Sequence, residues 1–357
     1  VIEPAPTTSY DAPTADQFHL ATLDGLRGIA AFAVLAHHID YVSKQAVLFS
    51  HAYLAVDFFF LLSGFVMSVA YEQRLRDGLS FFSFMRMRFA RLYPMVLIGA
   101  LIGCVAALFR KHDFGIAIAL VAQLAFVPFA VSRDDAYPLN NVQWSLFFEL
   151  FINGVHGLFN KFLSTPAVAA FALASGLILF MTDRHFGALS VGYSWSNFIG
   201  GFSRVAFSYS MGIVIYRIFR AGGLPHIKLP YPFILIILTI LFGSPALIYI
   251  SDSLFVIVVF PLILSASLTS TSPKKAARVI SWAGGISYPL YSIHVPLLQI
   301  LVLMIPVHSS PASQVALWTS AAVLIVATAT GLEYLYDAPI RRWLARARQA
   351  KGTRDDA

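Results

Sequence analysis

Arg27 and His38 stand eleven residues apart in the apolar run LDGLRGIAAFAVLAHHID. On an α-helix, eleven steps return to within about 20° of the starting direction, so both side chains share one face, about 16 Å apart along the axis. One is a fixed cation and the other changes its proton near neutral pH. Both are costly in lipid, which points to a function: an arginine that holds an anion and a histidine that moves a proton. By spacing alone, His38 also fits a satisfied core histidine, and Asp24 with Arg27 also fits an interfacial anchor pair. His37 points about 100° away from His38 and reads as the structural member of the two.

A second set of polar residues falls inside other apolar runs. Arg88 and Arg91, three apart, face the same way on a helix. Paired guanidinium groups suit phosphate oxygens, and equally suit anchoring beside a membrane. Ser145 and Glu149 share a face of WSLFFEL, which opens on Trp144, and Asn153 and His156 follow on nearby faces. A carboxylate inside a membrane segment is functional by default. Ser287, Tyr291 and His294 form a polar stripe on one helical face with Tyr288 beside it. The stripe fits a cavity lining and fits bonding to other helices. Asp57 lies in the first turn of its run, where a helix N-terminus favours an acid. Ser63 and Gly64 lie deeper, where small residues allow close helix packing. Glu333 and Asp337 are four apart, and Asp337 is spaced to pair with Arg341. The chain has no GxSxG elbow, P-loop, HExxH or CxxC, so a hydrolase, an ATP-driven pump and a zinc enzyme lose support. No metal site is expected.

The elements that must position these residues are membrane helices. Of 357 residues 58% are hydrophobic and 12% charged, with mean hydropathy +0.73, against about 25% charged in soluble domains. The net charge of +7 sits in loops beside apolar segments, which is a topology signal rather than a nucleic-acid footprint. A single cysteine, Cys104, rules out an internal disulfide. Residues 1–18 are polar and Pro/Thr-rich and read as a disordered tail rather than a signal peptide. Residues 19–340 read as one membrane domain and 341–357 as a basic tail, with no internal repeat.

Eleven apolar runs are present, at about 26–43, 53–71, 92–109, 114–131, 144–160, 165–182, 198–218, 231–250, 254–270, 284–306 and 313–336. Five segments at 74–91, 161, 217–228, 274–278 and 341–354 hold 18 of the 25 Lys and Arg. The positive-inside rule places all five in the cytoplasm. An even number of crossings must then join 72–91 to 161–164, yet three runs lie between. Either 92–109 or 114–131 is therefore re-entrant or broken, with the charged 110–113 sheltered by protein or a wet cavity. The fold expected is an all-α polytopic membrane protein of about ten transmembrane helices plus one re-entrant or broken segment, both termini cytoplasmic. Arg27 then sits at the cytoplasmic mouth and His38 deeper.

At these residues the chain resembles the acyltransferase-3 family of integral membrane O-acyltransferases. The matching segments are LDGLRGIAAFAVLAHH, DFFFLLSGFVM, RMRFARLYP, WSLFFELF and GGISYPLYSIHVPLL, in family order over nearly the whole chain. The resemblance implies transfer of an acyl group, often acetyl, from a cytoplasmic acyl-CoA to a hydroxyl of a carbohydrate or lipid-linked glycan outside. The family's Arg-x10-His motif falls on Arg27 and His38, and its R-x-x-R motif on Arg88 and Arg91. The last span commonly ends in Glu-x-Pro, where this chain has Asp337-Ala338-Pro339. Some members add an extracytoplasmic hydrolase-like domain, which is not seen here.

The resemblance implies a division of labour. Arg27, Arg88 and Arg91 hold the phosphates of acyl-CoA, with acetyl-CoA the leading donor. The pantetheine arm runs along the first helix, and His38 acts as general base on the acceptor hydroxyl. Glu149 orients His38 or helps bind the acceptor. Asp57, Ser63, Trp144, Ser145, Tyr288, Tyr291 and His294 are candidates for lining the acceptor site or cavity. Direct transfer is the simplest route, with an acyl-enzyme as the alternative. The expected location is a bacterial cytoplasmic membrane. A glycan transporter or flippase is the competing class, since it too lines a path with buried charges.

Overall fold

The computed structural model describes residues 15–43, 49–110, 115–129, 135–225, 229–244, 251–270, 276–305 and 310–355. These residues are helices and short connections, with no strand among them. In chain order the helices are α1 (Ala15–Ser43), α2 (Ala55–Arg76), α3 (Phe81–Phe109), α4 (Ile116–Leu124), α5 (Gln143–Phe159), α6 (Thr165–Phe186), α7 (Gly200–Arg220) and α8 (Tyr231–Gly243). They continue with α9 (Asp252–Leu254), α10 (Phe260–Thr269), α11 (Ala277–Leu301), α12 (Pro311–Leu332) and α13 (Ala338–Asp355). A π-helical turn, Phe255–Val259, joins α9 to α10, and another, Glu333–Asp337, joins α12 to α13.

Among the described residues, five helical stretches are long and apolar enough to cross a membrane: Ala52–Arg76, Phe81–Phe109, Thr165–Phe186, Asp252–Thr269 and Ala312–Arg346. The helices that carry most of the polar candidates, α1, α5, α7 and α11, are not among them. Those four pack inside the bundle, α1 against α11 and α7 against α2, α5 and α6. Their polar groups find partners there instead of lipid, as an apolar surround demands. The outer helix α6 instead exposes Leu173, Leu177, Ile178 and Met181, an apolar face suited to acyl chains.

Small residues set the interhelix registers. Gly64 on α2 lies so close to the Tyr209 backbone of α7 that a methyl group has no room, and Gly212 on α7 meets the Leu61 carbonyl in the same way. Gly284 on α11 abuts Asp24, and Gly28 on α1 abuts Ala283. Contacts along both pairs show α1 parallel to α11 and α2 parallel to α7. Pro296 sits within α11 and deprives the Ser292 carbonyl of its helical donor. Asn140 Nδ2 supplies a replacement at 2.8 Å, beside Gly99 of α3.

The two runs left open by loop charge prove unequal. Residues 92–109 belong to the continuous 29-residue α3, about 43 Å long. Among its described residues, the 114–131 run holds the nine-residue α4 alone, about 14 Å long against a bilayer core of about 30 Å. The chain reverses just after it at Phe126, a non-glycine residue at φ 57°. Arg110 is exposed, while residues 111–114 lie outside the described residues, as do 1–14, Lys228, Lys274 and Lys275. Both terminal segments read as tails differ in part: α1 already begins at Ala15, and 338–355 is helical.

Candidate active site

A cavity of about 180 Å³ opens between α1, α2, α3, α5 and α11. It is far larger than the space one water needs, roughly 10–15 Å³ by the same measure, so it admits part of a ligand. Arg27, Arg88 and Arg91 all lie in its wall, with Ser63, Ser145, Glu149, Ser287, Tyr288 and Tyr291. Phe59, Phe60, Val66 and Met67 of α2 supply an apolar side. Three arginines against one carboxylate leave the wall cationic.

Each polar group is held by a neighbour. Arg88 is buried and donates from Nη2 to Glu149 Oε1 at 2.8 Å, and Ser63 Oγ donates to the same oxygen at 3.1 Å. Arg88 Nε is buried without an acceptor, an unmet hydrogen bond beside the Glu149 pair. Arg27 Nη2 donates to Ser287 Oγ at 3.2 Å, and Arg27 Nη1 lies 3.6 Å from Asp24 Oδ1. The Tyr288 hydroxyl donates to the Leu92 carbonyl at 2.5 Å, and the Arg91 guanidinium sits 5.0 Å above the Tyr288 ring. Ser145 and Tyr291 join hydroxyls at 2.7 Å. Ser63, read as a packing residue or an acceptor contact, is thus a cavity residue tied to Glu149, while Gly64 does the packing.

Arg91 belongs to an ion-pair network across the second π turn. Its Nη1 is 3.4 Å from Asp337 Oδ2, and Arg341 lies 2.9 Å from the same atom and 2.5 Å from Glu333 Oε1. The Asp337–Arg341 pair predicted by spacing is present, and Arg91 joins it from α3. Asp337, standing at the position of the family's usual glutamate, reaches both arginines.

His38 is not in the wall of this cavity. Its ring is 4.8 Å from that of His294, and the His294 ring is 5.7 Å from that of Tyr291, which does line the cavity. The histidine pair therefore lies one aromatic layer beyond the arginine chamber, toward the Ser43 end of α1. His38 Nδ1 is 2.9 Å from the Val34 carbonyl and 3.4 Å from His294 Nε2. Glu149 makes no bond to His38 among the described residues, so it does not orient that ring by contact; its partners are Arg88 and Ser63. His37 bonds the Phe49 carbonyl at 2.9 Å and packs on Tyr53, a structural placement.

Asp57 and Trp144 stand outside the cavity wall. Asp57 is fully buried and its carboxylate accepts from Arg204 Nε at 3.1 Å and Nη2 at 2.5 Å. Arg204 also donates to the Val191 and Tyr53 carbonyls and lies 5.0 Å over the Trp144 ring. These two candidates are thus a counter-ion and a platform for a buried arginine, outside the wall of the cavity. Sequence reasoning missed Arg204, although a cation near the start of the apolar 198–218 run demands a buried acid. Asn153 and His156 likewise tie α5 to the Tyr209 hydroxyl of α7.

Comparison with known proteins identifies the family of the chain. A family model described as an acyltransferase domain matches residues 20–334. "Protein 2 in picA locus" of Rhizobium radiobacter is 34% identical over 182 residues, 46% of this chain and 94% of that protein. "Acyltransferase MdmB" of Streptomyces mycarofaciens is 40% identical over 92 residues, 23% of either chain. "Peptidoglycan O-acetyltransferase OatA" of Listeria monocytogenes is 29% identical over 145 residues, 37% of this chain and 22% of that protein. The chain thus aligns with less than a quarter of the length of the two relatives named for an acyl-transfer activity. No solved structure matches it. With Arg27, Arg88 and Arg91 in the wall of one cationic cavity and with the family match running almost end to end, the chain belongs to the acyltransferase-3 family of membrane acyltransferases.

Proposed function

We propose that the protein moves an acyl group, acetyl as the simplest case, from cytoplasmic acyl-CoA to a hydroxyl of a carbohydrate or lipid-linked glycan across a bacterial cytoplasmic membrane. The observation that carries this reading is the convergence of Arg27, Arg88 and Arg91 on one cavity whose far side abuts the His38–His294 pair. Phosphate is the anion that best uses several guanidinium groups. Arg88 stands in the cavity wall with only its Nη2 bonded, to Glu149, among the described residues. From Arg27 to His38 is about 16 Å along α1, of the order of a pantetheine arm. The names of the relatives, an acyltransferase and a peptidoglycan O-acetyltransferase, support the same class of donor and acceptor.

In this reading His38 Nε2 takes the proton of the acceptor hydroxyl as its oxygen bonds the thioester carbonyl carbon. The tetrahedral intermediate collapses with loss of the carbon–sulfur bond. The proton on Nε2 passes to the departing thiolate, giving free CoA and an ester. The Tyr291–Ser145 pair stands between the chamber and the histidines, so the thioester must pass it.

The test supplies [14C]acetyl-CoA to inside-out membrane vesicles from expressing cells. Label in the glycan fraction with matching release of CoA thiol is expected. Glycan translocation without label or thiol release would establish the transporter reading instead.

A further inference from the structure

We propose that His294 is a positioning residue for the reaction: its Nε2 accepts the Nδ1 proton of His38 and so holds the His38 Nε2 lone pair out as the base. The proposal rests on the reading of His38 as general base, and deepens it.

Proton positions follow from the partners. A backbone carbonyl only accepts. His294 Nδ1 lies 3.1 Å from the Leu290 carbonyl and 2.8 Å from the Tyr291 carbonyl, so its proton is on Nδ1 and its Nε2 is an acceptor. His38 Nδ1 lies 2.9 Å from the Val34 carbonyl, so it too carries the proton. That proton is shared with His294 Nε2 at 3.4 Å. The two rings meet edge to face at 75°. The result is a directed chain, from His38 through His294 to two carbonyls of α11. His38 Nε2 makes no hydrogen bond among the described residues and is left with its lone pair.

A histidine held in place only for packing would spend both nitrogens on the fold. His294 is 1% exposed and spends its second nitrogen on a histidine whose own second nitrogen is free. Parallel packing of α1 on α11, made possible at Gly28 and Gly284, brings the two rings together. The other titratable groups facing the pair are His37, 5.4 Å from His38 ring to ring, and Tyr291. The one carboxylate in the adjacent cavity wall, Glu149, is taken by Arg88. When His38 takes a proton on Nε2, its Nδ1–H therefore keeps two neutral acceptors, Val34 and His294. This acts on the chemical step and leaves the arginine chamber untouched.

Three variants and a control test it in the inside-out vesicle assay with [14C]acetyl-CoA as the varied substrate. His294→Gln keeps an acceptor oxygen at the distal position. His294→Asn keeps an amide toward the Leu290 and Tyr291 carbonyls but is too short to reach His38. His294→Leu removes both. We expect His294→Asn and His294→Leu to lose kcat about 100-fold with KM for acetyl-CoA unchanged, and His294→Gln to stay within about tenfold of wild type. Wild-type kcat in His294→Asn or His294→Leu overturns the proposal, and so does an equal loss in His294→Gln. Should His294→Leu fail to fold, the Gln and Asn pair decides the question. The control is His38→Ala. If it is active, the general-base reading itself falls; if it is inactive while His294→Asn is wild type, only the role of His294 falls.

Discussion

Arg88 and Glu149, on α3 and α5, form a 2.8 Å ion pair in the cavity wall while Arg88 Nε faces no acceptor. The arginine is thus half engaged. Its carboxylate partner fixes the guanidinium plane through one nitrogen and leaves another for a ligand. Planarity matters here, because a lysine cannot satisfy both directions at once.

Arg88→Lys should therefore behave more like Arg88→Ala than like wild type. Both are expected to raise KM for acetyl-CoA at least tenfold, the loss of about one charge-assisted hydrogen bond. Arg27→Ala and Arg91→Ala should act in the same direction. Initial rates against acetyl-CoA concentration check this, and a wild-type KM in Arg88→Ala would remove the phosphate assignment.

Glu149→Gln takes the only carboxylate, among the described residues, from a wall that holds three arginines. The added net cationic charge should lower KM for the anionic donor severalfold and steepen its dependence on salt. If KM and its salt dependence stay unchanged, Glu149 has no part in the site.

His38→Ala should abolish transfer, a loss of about 10²-fold or more, with the detergent-solubilised protein still monodisperse. The measurement is label transfer alongside size-exclusion chromatography. Full activity in a well-folded variant ends the general-base role.

Arg204 and Asp57 are expected to matter to folding alone. Both are at most 1% exposed, and removing one partner strands the other charge. Asp57→Ala or Arg204→Leu should cost about 3–5 kcal/mol, while a joint apolar replacement recovers much of it. Thermal unfolding in detergent reads the difference. A single variant as stable as wild type would show that the pair is dispensable.

Helix packing offers a contrast within one residue type. A methyl group at Gly64 collides with the Tyr209 backbone, whereas one at Gly331 meets nothing within 4 Å. Gly64→Ala should cost about 1–3 kcal/mol. Gly331→Ala should be neutral or stabilising by up to about 1 kcal/mol. Equal stabilities in the same unfolding assay would contradict the α2–α7 register.

The sequence by itself determined the class of the protein and the addresses of its polar candidates. Its apolar runs are local patterns, and a helix places Arg27 with His38, or Ser287 with Tyr291 and His294, whatever surrounds it. Charge parity even narrowed the short element to two runs, of which the 114–131 run holds α4. Partner choice belonged to the tertiary structure. His38 meets His294 across 256 residues, Arg91 meets Asp337 across 246, and Arg204 meets Asp57 across 147. Helical periodicity says which way a side chain faces but not which helix it faces. That depends on the register of parallel neighbours, set by close approach at Gly64, Gly212, Gly28 and Gly284. For the same reason Glu149 was legible as a carboxylate inside an apolar run, and only the packing of α5 on α3 made Arg88, rather than His38, its partner.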